Sequence, residues 1–372
     1  MREPPLILLL SAAHPADDMR VVRKEGAALA AAGWRVRHLC RGKAAPPEVN
    51  GVEIETLGAA SRRAAWPGLL RAAIAARPAV IHASEPDAWA LALLAARRTG
   101  AKLVLDVHEH YPSRLDARVP ARLRPVARAV LRRMLVALAR RADAVVLAKD
   151  GLAEDFPGAR CVAVRNHALV PAGLVPRRHT AGPLTLLHLG AIGRARGWPQ
   201  MLAALALLPA ETRLLVIGRF TDGSEAAFRA EAAQLGLTGR ITLAGWMPAG
   251  EALARAAAEA DLNLILFQPG EENHRLALPH KLFDGMACGL PVVAPGFAES
   301  VARILRETGC GTLTDPTDPP AIAAAIAPLA DPAIRARMGA AGRAAAEGAW
   351  SWPAEAARLV ALYRELAPRT DV

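Results

Sequence analysis

Aromatic residues are scarce, 4% of 372 positions, and the chain has only two tyrosines. The flat side chains on which single-stranded nucleic acid stacks are therefore few. Four cysteines (Cys40, Cys161, Cys288 and Cys310) stand singly, with no Cys-x-x-Cys pair and no metal-ligand spacing. That usage suits free thiols in a reducing compartment rather than a disulfide framework. No apolar run reaches the length of a membrane span. The opening MREPPLILLLSAAHPADD leads from a short apolar run into acids, which reads as a first buried strand rather than a secretion signal. A cytoplasmic protein is expected, with peripheral attachment to the inner face of the cytoplasmic membrane as an open addition. Short-period repeats and low-complexity segments are also absent.

What is present is apolar and basic: 53% hydrophobic residues and a formal charge of +11. Burial on that scale can offset the ordering entropy of a folded chain, and the length suits two domains. Short β-rich runs alternate with Ala/Leu-rich helical stretches throughout, the pattern of parallel sheets covered by helices. The expected strands are Leu6–Leu10, Trp34–Leu39, Ala79–His82, Lys102–Val107, Ala144–Leu147 and Cys161–Val164. A second set follows at Leu184–Leu189, Arg213–Ile217, Ile241–Leu243, Leu262–Phe267, Pro291–Ala294 and Gly311–Leu313. The reading is α/β: a Rossmann-like domain over 1–170, a Pro/Gly/Arg-rich linker over 171–183, a second Rossmann-like domain over 184–349, and a helix in 350–372 packing back on the first. Ligands of such sheets bind at the carboxyl ends of the strands, so two facing sheets imply an interdomain cleft.

The stretch ALPHKLFDGMACGLPVVAP, residues 277–295, is the most informative. Pro279 opens a helix whose first-turn N–H groups are free for an anion. Lys281 lies in that turn and Asp284 one turn further on. A lysine at a helix N-terminus suits a diphosphate, and a carboxylate there can accept hydrogen bonds from vicinal ribose hydroxyls. An ordinary surface helix, its charges complementing the dipole, is the competing reading.

That stretch resembles LPNKLFEYMAAGLPVVAS, the donor motif of one branch of the retaining family 4 glycosyltransferases of GT-B fold. HLGAIGRARG, LLVIGR and RITLAGWMP resemble further motifs of the family. So do DMRVVRKEGAALAAAGWRVRHL, AVIHASEPDAWALALLAARRTGAKLVLDVHEHYP and the terminal SWPAEAARLVALYREL, all in the family's order. The resemblance implies two facing Rossmann-like α/β/α domains. It also implies sugar transfer from a UDP- or GDP-sugar to a glycan or polyprenyl-linked acceptor in cell-surface polysaccharide or glycolipid synthesis. Arg196 stands at the diphosphate-binding position, with Lys281 beside it, and Asp284 replaces a ribose-binding glutamate. Gly190 and Gly218 match glycines that admit the donor, and Trp246 and Met247 match a loop that meets the base. Three departures stand out: Leu276 where many members carry a glutamate, Ala191 where an arginine is expected, leaving Arg194 or Arg196 to supply the charge, and SAAHPADDMR in place of the Gly-rich turn after the first strand. The resemblance implies retention at the anomeric carbon. No cofactor or metal is expected, since Asp17–Asp18 lies in the wrong half for the donor.

On the acceptor side, His108 and Glu109 follow one strand and His14 another, where an imidazole could polarise a sugar hydroxyl. His108, Arg196 and Lys281 form the expected catalytic set. Nine arginines fall between Tyr111 and Asp143, among them Arg118, Arg124, Arg128, Arg132 and Arg133. With Val126, Val130, Leu131, Met134, Leu135 and Leu138 they make a basic amphipathic helix, suited to an anionic membrane surface or to covering the sheet. Nucleic acid is not expected as a partner, because the arginines lack interleaved aromatics. Two other functions remain open: a nucleotide-sugar-binding subunit without activity, and a nucleotide-sugar epimerase or hydrolase of similar fold.

Overall fold

The computed structural model describes residues 3–43, 45–115 and 119–368, so Arg118 lies outside the described residues. The chain divides into two compact units, Met1–Asn166 with Trp352–Val372, and His167–Ser351.

The first unit holds β1 (Leu6–Ser11), β2 (Arg35–Arg41), β3 (Glu48–Val49), β4 (Val52–Leu57), β5 (Val80–Ala83), β6 (Lys102–Val107), β7 (Ala144–Leu147) and β8 (Cys161–Ala163). They form one sheet in the order β3-β4-β2-β1-β5-β6-β7-β8, parallel except for the β3–β4 pair. The central strands are buried on both faces, as their unbroken apolar sequences require. β3 and β4 escaped the sequence reading: VEIETL alternates apolar and polar residues, and only Val52 in it is buried. Connections run outward from β1 in one direction and from β5 in the other, so the topological switch point lies between these strands.

The second unit holds β9 (Thr185–Leu189), β10 (Arg213–Ile217), β11 (Ile241–Gly245), β12 (Leu262–Leu264), β13 (Val292–Pro295) and β14 (Gly311–Thr314). This sheet is wholly parallel, in the order β11-β10-β9-β12-β13-β14, with its switch point between β9 and β12.

Residues 171–183 are packed onto the second unit. Arg177 pairs with Asp261 at 3.0 Å, and the buried Arg335 donates to the carbonyl of Thr180 at 2.6 Å. The helix Trp352–Leu366 belongs to the first unit. Leu359, Leu362 and Tyr363 enter its core beside Ile7, Leu9, Val36 and Val80, and the Trp34 indole donates to Ala367. Leu359→Ala should therefore lower the stability of the first unit by about 2–5 kcal/mol, the usual cost of a core leucine truncation. Differential scanning calorimetry should show the transition of residues 1–166 moving down while that of residues 167–351 stays in place.

Candidate functional site

The carboxyl ends of the strands at both switch points carry the titratable side chains. In the first unit the turn after β1 has no glycine to receive a phosphate. Its amides are already occupied: the Glu85 carboxylate, from the end of β5, accepts from the N–H of Ala12, from Ala13 at 2.8 Å and from the Ser11 hydroxyl at 2.9 Å. A carboxylate of the chain itself fills the anion-binding position of this turn.

Beside it lie two carboxylate-backed histidines. His14 Nδ1 contacts Asp18 at 3.0 Å, while His108 Nε2 contacts Asp106; the two rings meet edge to face with centroids 4.8 Å apart. Burial alone would lower the His14 pKa, but its bond to Asp18 and the charges of Asp18, Glu85 and Asp106 outweigh this and raise it. Asp106 is fully buried and clamped by Arg20 through Nε (3.1 Å) and Nη2 (2.9 Å). Arg20 also lies 2.8 Å from Glu25 and donates to the Val164 carbonyl at 3.0 Å. Burial would raise the Asp106 carboxyl; Arg20, then His108, hold it well below the carboxylate range instead. Burial pushes Glu25 well above its ordinary value despite the opposing pull of Arg20. Glu25, His82 and Asp106 bring ligand-type atoms within 4.8 Å of one another, yet the Arg20 guanidinium already compensates both carboxylates.

Sequence reasoning found His14 and His108 but missed Asp106, Asp18 and Glu85. Asp106 was legible in principle, since residues two apart at a strand end face the same way. Glu109, expected beside His108, is instead engaged in an exposed ion pair with Arg114 at 2.7 Å. His82 is buried, with Nδ1 2.7 Å from the Tyr363 hydroxyl, a structural role.

In the second unit the turn after β9 runs through Gly190 and Ala191 to the short helix Arg194–Arg196. Gly190 has φ +87°, and a Cβ on Gly218 would collide with the Gly190 carbonyl. A Cβ on Gly197 (φ +80°) would collide with the Leu266 carbonyl, so these glycines let β9, β10 and the chain beyond β12 close around one point. The close approach of Gly218 is thus to the protein's own backbone.

The helix His280–Ala287 delivers Lys281 to that turn. Its buried Nζ lies 3.3 Å from His188 Nε2 and 3.4 Å from the Ala191 carbonyl, over the Phe267 ring. Burial, then the charge of Arg196, pushes the Lys281 ammonium down to about 7, against the opposing pull of Asp284. Burial and the charge of Lys281 likewise hold His188 well below its ordinary range, so this imidazole is neutral. Lys281 makes no ion pair with a described carboxylate, and Arg196, half-buried, makes no side-chain hydrogen bond or ion pair with another described residue. Asp284 is half-buried one turn along the same helix. Arg194 is set apart: its guanidinium stacks 4.8 Å from the Trp198 ring, and its N–H donates to Asp222 at 2.7 Å. Trp246, after β11, is 68% exposed, whereas Met247 packs on the core. Leu276 is buried; nearby, Glu272 pairs with Arg275 at 2.5 Å and Glu271 is exposed. Arg196 and Asp284 are therefore both electrostatic neighbours of Lys281, whose ammonium lies against the Ala191 carbonyl, with His188 as a member that sequence reasoning missed.

No curated protein sequence matches the chain. Among solved structures, sucrose-phosphate synthase (tll1590) from Thermosynechococcus elongatus is similar, with TM-score 0.76 and 22% identity over 98% of this chain and 99% of that one. Alr3699/HepE from Anabaena, in complex with UDP-glucose, gives 0.71 and 18% over 97% of this chain and 100% of that one. WaaG, a glycosyltransferase involved in lipopolysaccharide biosynthesis, gives 0.68 and 17% over 95% and 99%. At these identities the likeness establishes the fold, which is GT-B. Residues 19–173 match the glycosyl transferase 4-like domain and residues 183–331 match the glycosyl transferases group 1 domain. With more than four fifths of the chain so accounted for, and both halves folded as GT-B enzymes are, the protein belongs to the GT4-like glycosyltransferases.

Proposed function

We propose that the second unit binds a nucleoside diphosphate sugar, a UDP- or GDP-sugar, and that the first binds a glycan or lipid-linked acceptor. The reaction retains anomeric configuration, needs no metal and serves cell-surface polysaccharide or glycolipid synthesis. The observation that carries this reading is the pair Arg196 and Lys281 at the Gly190 turn, two cations without a carboxylate ion pair. A diphosphate supplies the missing counter-charge. The UDP-glucose complex of the similar Alr3699/HepE supports a donor of this class.

On this reading Asp284 accepts the ribose hydroxyls and the exposed Trp246 ring lies against the base. The C1–O bond breaks with its electron pair passing to the diphosphate. Arg196, Lys281 and the first-turn amides of the helix His280–Ala287 stabilise the charge that develops there. The acceptor oxygen bonds C1 from the same face, and its proton passes to the departing phosphate. His108, held by Asp106, orients the acceptor hydroxyl.

Binding to the native state alone raises stability, so a thermal-shift panel of UDP, GDP, ADP and their sugar conjugates reads donor choice directly. One uridine or guanosine nucleotide should stabilise the protein equally with and without EDTA. Arg196→Ala and Asp284→Ala should each weaken its affinity about ten- to a hundredfold, the worth of a hydrogen bond to a charged group. No stabilisation by any nucleotide at millimolar concentration would favour a subunit without donor binding.

His108→Ala should leave nucleotide affinity unchanged while lowering the transfer rate by about a hundredfold or more, the scale of one positioned polar group. An equal loss of nucleotide affinity would place His108 with the donor instead.

Donor binding should depend on pH through Lys281. The free ammonium loses its proton near 7, and a neighbouring diphosphate raises that pKa. The complex then holds more protons than the free protein. Affinity is full below about pH 7 and falls as pH rises, approaching tenfold per unit. An intact nucleotide sugar is the right probe, because a terminal phosphate itself titrates near about 6. Calorimetric Kd values between about pH 6.5 and 9 should show the decline in the wild type, and a weaker, flat profile in Lys281→Met. A flat wild-type profile would remove Lys281 from the donor contacts.

A further inference from the structure

The helix Arg124–Ala139 of the first unit does not form the single apolar stripe that its sequence suggests. Leu135 and Ala139 are buried and Leu131 and Leu138 half-buried, turned toward the body of the unit. Val126, Val130 and Met134 lie on the adjoining face, 65%, 51% and 59% exposed, and Leu123 just before the helix is 51% exposed. At spacings of three and four these residues form one continuous outer ridge. The helix thus has two apolar stripes: one serves the fold, and the other faces outward. The ridge runs about 16 Å along the helix axis, at 1.5 Å per residue.

The charge on the segment that carries the ridge has one sign. Between Val119 and Ala142 the sequence holds seven arginines and no acid. Of the four arginines expected to face a membrane, three are engaged with the protein itself. Arg124 donates to the Val119 carbonyl at 3.1 Å, and Arg132 to the Glu154 carbonyl at 3.0 Å with Asp155 nearby. Arg128 also has a partner. Arg133 is exposed and free of ion pairs to other described residues, as is Arg122, which the sequence reading did not select. Helical spacing sets Arg122, Arg133 and Arg140 along one border of the ridge. Ala129, Arg132, Arg133, Val136, Ala137 and Arg140 line a shallow groove of about 380 Å³ on that side.

We propose that this face is a membrane-docking surface. The ridge Leu123–Val126–Val130–Met134 enters the boundary between headgroups and acyl chains of an anionic bilayer, while Arg122 and Arg133 meet lipid phosphates. An apolar line with cations along one border matches the two chemistries that such a surface presents side by side. No helix among the described residues is long and apolar enough to cross a membrane, so attachment by this face is interfacial.

The test is co-sedimentation of the full chain with vesicles of neutral phosphatidylcholine, alone or mixed with anionic phosphatidylglycerol, at about 0.15 M salt. The wild type should bind the mixed vesicles and not the neutral ones. The triple variant Val126→Ser, Val130→Ser, Met134→Ser should lose binding at least about tenfold. Arg122→Gln with Arg133→Gln should lose about fivefold per arginine, with binding that falls less steeply as salt is added. All substituted side chains are exposed, so melting temperature and nucleotide binding should match the wild type and serve as controls for folding. Failure of the wild type to sediment with anionic vesicles would overturn the proposal, as would equal binding by the serine variant. A wild-type dimer dispersed by the serine substitutions, without vesicle binding, would assign the face to self-association instead. None of these readouts depends on sugar transfer, so the donor reading can fail while this one stands.

Discussion

Charge buried at the end of a parallel strand has to be compensated, and the two units meet that requirement in opposite ways. The first is self-sufficient. Arg20 neutralises Asp106 and also pairs with Glu25, Asp18 backs His14, and Glu85 saturates the amides after β1. The second stops short. Lys281 and Arg196 stand at the turn after β9 with the neutral His188 of that strand beside Lys281, and among the described residues neither has a carboxylate ion pair. A buried ammonium without a partner is costly: it gives up its proton more readily, as Lys281 does, or keeps it against an anion from outside.

This asymmetry does what a comparison of folds cannot do. Both units are doubly wound sheets with a switch point in the same relative place, and each could in principle receive a phosphate there. Glu85 closes that option in the first unit, because a second anion would face its carboxylate at the same amides. The imidazoles that remain accessible there, His14 and His108, suit hydroxyl groups more than diphosphates. The proposed division of labour between the units thus rests on where the carboxylates lie, with the folds being alike.

Much of the fold was legible because most strands are continuous apolar runs, whose only stable place is inside a sheet covered on both faces. Val52–Leu57 was not, since at the sheet edge its polar positions alternate and no apolar run announces it. The basic helix shows a second limit: spacings of three and four identify an apolar residue's neighbours, but two adjoining stripes, one inward and one outward, satisfy the same spacings. Val126, Val130 and Met134 could be separated from Leu131, Leu135 and Leu138 only when the body of the unit was in view. In the site, residues carried by motifs were readable, including Arg196, Lys281 and His108. Their partners were not. His188 sits within an apolar strand, and Glu85 reaches the turn after β1 from 74 residues away along the chain.

Substitution at the second site also looks different in three dimensions. The arginine that the family pattern places at 191 is alanine here, which read alone removes a cation from the turn. Yet Lys281 Nζ lies 3.4 Å from the Ala191 carbonyl, so a positive charge reaches that turn from a helix ninety residues further along. Its position is more enclosed than a side chain rooted in the turn would be. Enclosure is what lowers its pKa, and the lowered pKa makes the cation conditional on an anion being present. Restoring an arginine at 191 would add a second fixed charge beside Arg196 and depress Lys281 further. The alanine and the buried lysine are therefore one arrangement, and neither residue can be judged without the other.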